Sequence, residues 1–237
     1  MERWSLSELK DLCFAVFPKE VATQIYSCAQ SLADRKFFAQ YHYNEYKRIL
    51  DEYVAGRSDL ELLPDVFGFG RNEDGAFEWA FRRAKSHVYS SLQSLHAVAD
   101  TLAFLVYLVC ELEGRNLIKR KRFYSSDVVK ALDGDLFPEI YVLLKGYVES
   151  ARFEYLSALV NRSKHVSVVD APFTFDFTGR EAWTKGLRFS SFVHGEEEYP
   201  ARWVEELLPS ETRIATETML RIGKLLNTYL AEKKLSS

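Results

Sequence analysis

The side chains with most chemical potential in this sequence gather at one boundary. Asn161, Arg162, Lys164 and His165 close a strongly patterned helical stretch that begins near Phe153, and strand-like alternation follows them. On a helix of 3.6 residues per turn, Asn161 lies four residues and Arg162 three residues before His165. The three therefore share one face near the helix end. Val160 lies roughly 140° around the helix from His165 and belongs to another face. An imidazole can move a proton near neutral pH, Arg and Lys can balance phosphate charge, and Asn can hydrogen-bond a ligand. Together they suit a phosphodiester. The same residues can also close a helix, with His165 complementing the dipole at its C-terminus. The sequence leaves both readings open.

A second group of cations, Arg115, Lys119, Arg120, Lys121 and Arg122, follows the central apolar stretch. It reads either as a solvated basic turn or as a phosphate-contacting patch. Arg120 and Arg122 would be its phosphate contacts. The formal net charge of −3 gives no general pull toward nucleic acid or anionic lipid, so RNA binding would need such a local patch. Tyr41, His42 and Tyr43 could stack on bases or simply pack.

Several chemistries lose support. His87 and His96 are nine residues apart, on opposite sides of a helix, and cannot share a metal. No HExxH, paired Glu-x-x-His or CxxC pattern is present, and serine-nucleophile motifs are missing, so no metal or cofactor is expected. His96 and Asp100, four apart, suit a buried hydrogen-bonded pair. Cys13, Cys28 and Cys110 are odd in number, far apart and set in apolar helical patterns, as reduced buried thiols are.

The elements that must hold these groups are mostly helices. Glycine (11) and proline (6) are scarce in 237 residues, which leaves room for long helices with few breaks. Ser5 or Ser7 can cap a first helix that Pro18 ends. A second runs from about Lys19 to Val54, as one helix or two. Gly56 to Gly75 reads as a surface loop. Ala76 to Glu113 reads as one long helix, apolar nearly all round over its second half and stopped at Gly114. A short helix from Ser125 or Ser126 to Leu132 follows, then a long one from Pro138 to the tetrad. Val166 and Val168, then Phe173, Phe175 and Phe177, alternate as on a half-buried strand, with Leu187 to Val193 as the partner. Glu196 to Glu198 reads as a solvated loop. Trp203 to Leu208 reads as a short helix before Pro209, and Ser210 caps the last helix, through Leu230. The start, MERWSLSELKDL, is charged and amphipathic and lacks a signal peptide's apolar segment, and the apolar run 97–112 is short for a membrane span. A cytoplasmic chain without membrane contact is the expectation.

The string Val160-Asn161-Arg162-Ser163-Lys164-His165 resembles the signature of HEPN domains, the higher eukaryote and prokaryote nucleotide-binding helical bundles. That signature has an Arg, a polar residue, several variable positions and a His late in a long helix. Asn161 and His165 match the polar position and the His, while Val160 stands where the family has its Arg. The resemblance implies a HEPN-like helical bundle, mainly α, to which the alternation after His165 adds a small β-hairpin at about 166–194 before the C-terminal helix. It implies one domain over 1–237, with N-terminal helices in 1–55 and a core in 76–237, and a homodimer. With the Arg position lost, it implies a non-catalytic module for RNA, a nucleotide or a protein partner, as in a prokaryotic stress or defence system. The alternative is a metal-independent, toxin-like ribonuclease using His165 with Arg162 or Lys164. A pure interaction protein is a third class.

Overall fold

Long stretches without glycine or proline, with apolar residues recurring every third or fourth position, make helix the dominant element. In the computed structural model, residues 4–68, 75–115, 124–132, 137–180 and 182–236 are described. The chain is mainly α, 72% helical, with a small β portion of 7% ahead of the C-terminal helix. In order the elements are α1 (Leu6–Val16), α2 (Lys19–Val54), α3 (Asp59–Phe67), α4 (Ala76–Val109), α5 (Ser125–Ala131), α6 (Pro138–Val148) and α7 (Ala151–His165). Strands β1 (Phe173–Phe175), β2 (Lys185–Phe189), β3 (Phe192–His194), β4 (Glu197–Tyr199) and β5 (Arg202–Trp203) follow, then α8 (Val204–Leu235).

The helix ends show local chemistry at work. The Glu8 amide donates to Ser5 Oγ at 3.1 Å, which caps α1. α2 runs unbroken. The stretch expected as a loop holds α3, started by a reciprocal box in which the Ser58 amide donates to the Glu61 carboxylate at 2.7 Å. Gly68, at φ 71°, ends it in the left-handed region that glycine adopts cheaply. The long helix expected from Pro138 to His165 is two. Ser150 separates them and caps α7 by accepting from the Phe153 amide at 3.2 Å. The two helices expected around Pro209 are one, since α8 continues through it.

The chain divides into two compact units, and α2, α4, α7 and α8 each contribute to both. The first comprises Met1–Phe37, Leu95–Glu154 and Glu211–Ser237. Leu9, Ile25, Leu32, Leu102, Leu105, Leu144 and Leu226 are its fully buried centre. The Cys28 thiol donates to the Thr101 carbonyl at 3.4 Å. All three cysteines are free and buried, and burial pushes their thiols up to about 12, so they stay protonated and unreactive at neutral pH. His96 lies flat on Phe153, ring centres 5.7 Å apart. Trp4 crosses α8, its indole N–H donating to Asn227 Oδ1 at 3.2 Å. Gly223, one turn earlier, leaves the space that the indole occupies.

The second unit comprises Phe38–Ser94 and Tyr155–Ser210 and carries all five strands of the described residues. The expected hairpin is elaborated here into a three-stranded sheet of order β1-β2-β5 and a separate β3-β4 hairpin, all antiparallel. The acidic stretch expected as a loop forms the turn and β4, with Glu198 opposite Val193. The period of two after α7 is real, but its phase is set by Val169, Ala171 and Phe173, which are buried; Val166 and Val168 point outward, at 69% and 58% exposure. Tyr46, Leu62, Leu92, Leu159, Phe189 and Trp203 fill the interior.

α4 is long and apolar enough to cross a membrane by length and composition, yet 56% of its most apolar window is buried within the protein, as in a core helix. Placing a Cβ on Gly223 drives it into the Trp4 ring. Gly223→Ala should therefore cost about 1–3 kcal/mol by overpacking, read from urea unfolding midpoints. A variant as stable as the parent would show that Trp4 is not seated there.

Candidate functional site

α7 ends because its last carbonyls find amides just beyond it. The Val166 and Ser167 amides both donate to the Arg162 carbonyl, at 2.9 and 3.1 Å. Neither the Asn161 nor the His165 side chain makes these bonds, while Arg162, Lys164 and His165 all stand in the last turn, where positive charge complements the helix dipole. The chain then runs extended along α4, where the Tyr89 hydroxyl donates to the Val169 carbonyl and Lys85 Nζ bonds Asp170 Oδ1 at 2.7 Å. The Ser190 amide, just past β2, donates to the Asp170 carbonyl at 2.9 Å. Arg162 Nη1 reaches across to the Val193 carbonyl at 2.8 Å and so ties the helix end to β3.

These ties enclose an open pocket of about 400 Å³ between the α7 end, residues 167–170, residues 190–193 and Glu198 of β4. Its polar lining residues are Arg162, Asp170, Glu198, Ser167, Ser190 and Ser191. The hydrogen bond from Lys85 holds the Asp170 carboxyl below its ordinary range, so Asp170 is charged at neutral pH. One guanidinium nitrogen is engaged with Val193 and the others face no protein partner among the described residues. A cation, two anions and three hydroxyls suit a ligand that offers both an anionic group and several hydrogen-bonding groups.

The structure separates the residues the sequence had grouped. Arg162 lines the pocket. Asn161 is half-buried, and its Nδ2 donates to Ser157 Oγ at 3.2 Å. Lys164 and His165 are exposed and lie outside the pocket lining. The imidazole of His165 takes no side-chain hydrogen bond among the described residues. Val160, at the place of the signature Arg, is 2% exposed and packs in the interior. Arg120 and Arg122 lie outside the described residues; Arg115 bonds the Cys110 carbonyl at 3.1 Å. Asp170, the serine pair 190–191 and Glu198 are the pocket residues that spacing along α7 could not reveal. The adjacent serines after β2 were their one visible trace.

Two further polar pairs in this unit join residues remote in sequence. His42 and His87 meet through their Nδ1 atoms at 2.9 Å. The buried Tyr46 hydroxyl donates to Glu205 Oε1, while Glu205 Oε2 has no partner among the described residues. Among those residues, no three His, Cys, Asp or Glu side chains gather as a metal would need. Comparison with family models, curated proteins and solved structures finds no match to this chain.

Burial raises the Glu205 carboxyl above its ordinary range, and this outweighs the lowering by the Tyr46 hydrogen bond. Between the ordinary carboxylate value of about 4.3 and the raised value, the folded chain keeps a proton that the unfolded chain has lost. Stability therefore falls as pH rises through that window. Glu205→Gln removes the ionisation and keeps the shape. Its melting temperature relative to the parent should climb as pH is raised from about 4 to 8, measured by calorimetry. A difference that stays constant with pH would contradict a raised Glu205 carboxyl.

Proposed function

We propose that the chain is a HEPN-like, non-catalytic module of the cytoplasm whose pocket at Arg162 binds a nucleotide or a single-stranded stretch of RNA. One observation carries this reading: a guanidinium with unengaged N–H groups stands beside three hydroxyls and two carboxylates at the foot of α7. A phosphate takes the Arg162 fork. Ribose hydroxyls and base amino groups donate to Asp170 and Glu198, and the serine hydroxyls complete the contacts. Lys85 already balances Asp170, which leaves one guanidinium against the Glu198 carboxylate, so a monophosphate or one backbone linkage fits better than a triphosphate.

Two placements support the non-catalytic reading. The signature cation is replaced by buried Val160, and His165 stands in solvent away from the pocket lining. The same free, exposed His165 supports the runner-up, a metal-independent ribonuclease using His165 with Arg162 or Lys164.

The test is binding of fluorescent mixed-sequence RNA oligomers and of nucleoside monophosphates, followed by anisotropy and calorimetry. Arg162→Gln should weaken binding at least about tenfold, equivalent to about 1.4 kcal/mol, while His165→Ala should leave it unchanged. On metal-free RNA the parent and His165→Ala should give equal background cleavage. Undiminished binding by Arg162→Gln would sink the pocket assignment. Cleavage lost in His165→Ala would install the ribonuclease instead.

A further inference from the structure

The face that α2 presents to α4 within the second unit is sealed by polar contacts at successive turns. Ser91 Oγ donates to the Ala39 carbonyl at 2.9 Å, fully buried, and one turn on His42 meets His87. The two helices run past each other in opposite directions there, since 39 and 42 ascend while 91 and 87 descend. The imidazole centres are 5.2 Å apart and their Nδ1 atoms 2.9 Å apart. The difference, 2.3 Å, is one ring radius from each imidazole, so both nitrogens lie on the line joining the ring centres. That is the head-on geometry of an N–H···N hydrogen bond. A metal chelated by the same atoms would sit off that line, with both lone pairs aimed at it.

Proton counting then constrains the pair. Four ring nitrogens are available, and the bond requires one of them, an Nδ1, to keep its lone pair. The neutral pair holds two ring protons with the bond intact. A third proton goes to an outer Nε2, which leaves the bond in place and charges its donor. A fourth can only enter the accepting Nδ1. It sets two N–H groups and two positive charges face to face.

We infer that His42 and His87 are an acid-sensitive latch between α2 and α4 in this unit, held by a shared proton and opened when both rings become charged. The charged groups around it on the two helices are Glu45 and Arg48 of α2 and Arg83 of α4. Glu45 favours protonation of His87 but is itself bridged by Arg48 at 2.8 Å, and both arginines oppose it. Burial and the neighbouring imidazole act in the same direction as the arginines, and His87 holds its proton less tightly than an ordinary histidine. The folded state therefore loses stability as pH falls below the ordinary histidine value of about 6.5, because the unfolded chain takes up the extra proton first.

The test is an NMR titration of the imidazole nitrogens of the full chain from about pH 8 to 4.5, with amide exchange followed in parallel. The expected result is two separated steps. The first should leave exchange unchanged, and the second should speed exchange at least about tenfold across 38–54 and 80–94. His87→Gln, which can still bond His42 but does not titrate, should lose less melting temperature than the parent between about pH 6.5 and 5. Two imidazoles titrating independently near the ordinary value, without change in exchange, would overturn the latch. So would a melting temperature raised by Zn²⁺ in the parent and not in His87→Gln, which would make the pair a chelate. Should His87→Gln fail to fold, the titration and the zinc response of the parent still decide.

Discussion

The pocket depends on the chain turning back along α4 as soon as α7 ends. Two polar ties fix that return, Lys85 to Asp170 and the Tyr89 hydroxyl to the Val169 carbonyl. The ion pair is the weaker anchor, because Asp170 is 64% exposed and such pairs contribute at most about 1 kcal/mol. Burial of Val169, Ala171 and Phe173 does more, at roughly 1.5–3 kcal/mol for each of the two larger side chains. The apolar phase of the segment therefore sets its path, and the polar groups choose its register. With Val169 turned inward, Asp170 and Val168 must turn outward, and the pocket acquires its carboxylate as a consequence.

Both units bury titratable groups inside apolar packing. The first is closed by aliphatic side chains and by Trp4 laid over Gly223 and Asn227, with its thiols kept inert by burial. The first also holds Glu211, 2% exposed, with Arg152 at 3.9 Å, and the second holds Tyr46 with Glu205 and His42 with His87. Such pairs contribute little net stability when intact and cost more when one partner is lost, so they restrict which packings are allowed more than they add to stability. Gly186 belongs to this arrangement. At φ 150° it occupies backbone space that suits glycine, and a Cβ there would crowd Glu205 Oε1 to 2.9 Å.

Helix existence was readable from the chain wherever a cap or breaker acted locally. Ser5 started α1, and α2 kept its whole apolar stripe from Lys19 to Val54. The errors have physical causes. The Ser58–Glu61 box was present but hidden among glycines, so α3 read as a loop. Ser150 broke a helix whose periodicity ran on unbroken, and Pro209 failed to break one, because packing of α8 outweighed the loss of one amide donor. Val166 and Val168 looked like strand positions by type, but the strand phase is decided by what lies opposite, and that is invisible locally. Arg162 was singled out for its spacing to His165, yet it lines the pocket without that partner. Asp170, Ser190, Ser191 and Glu198 were not legible, because tertiary pairing of β3 with β4 and of Asp170 with α4 puts them in place.

Where a ligand lands decides whether the pocket at Arg162 is a binding site. The most direct measurement is backbone amide shift mapping with nucleoside monophosphates and a short single-stranded RNA. Perturbations clustered on residues 162–170 and 190–198 are what a pocket built on Arg162 requires. Shifts confined to other surfaces, or none at saturating ligand, would contradict it.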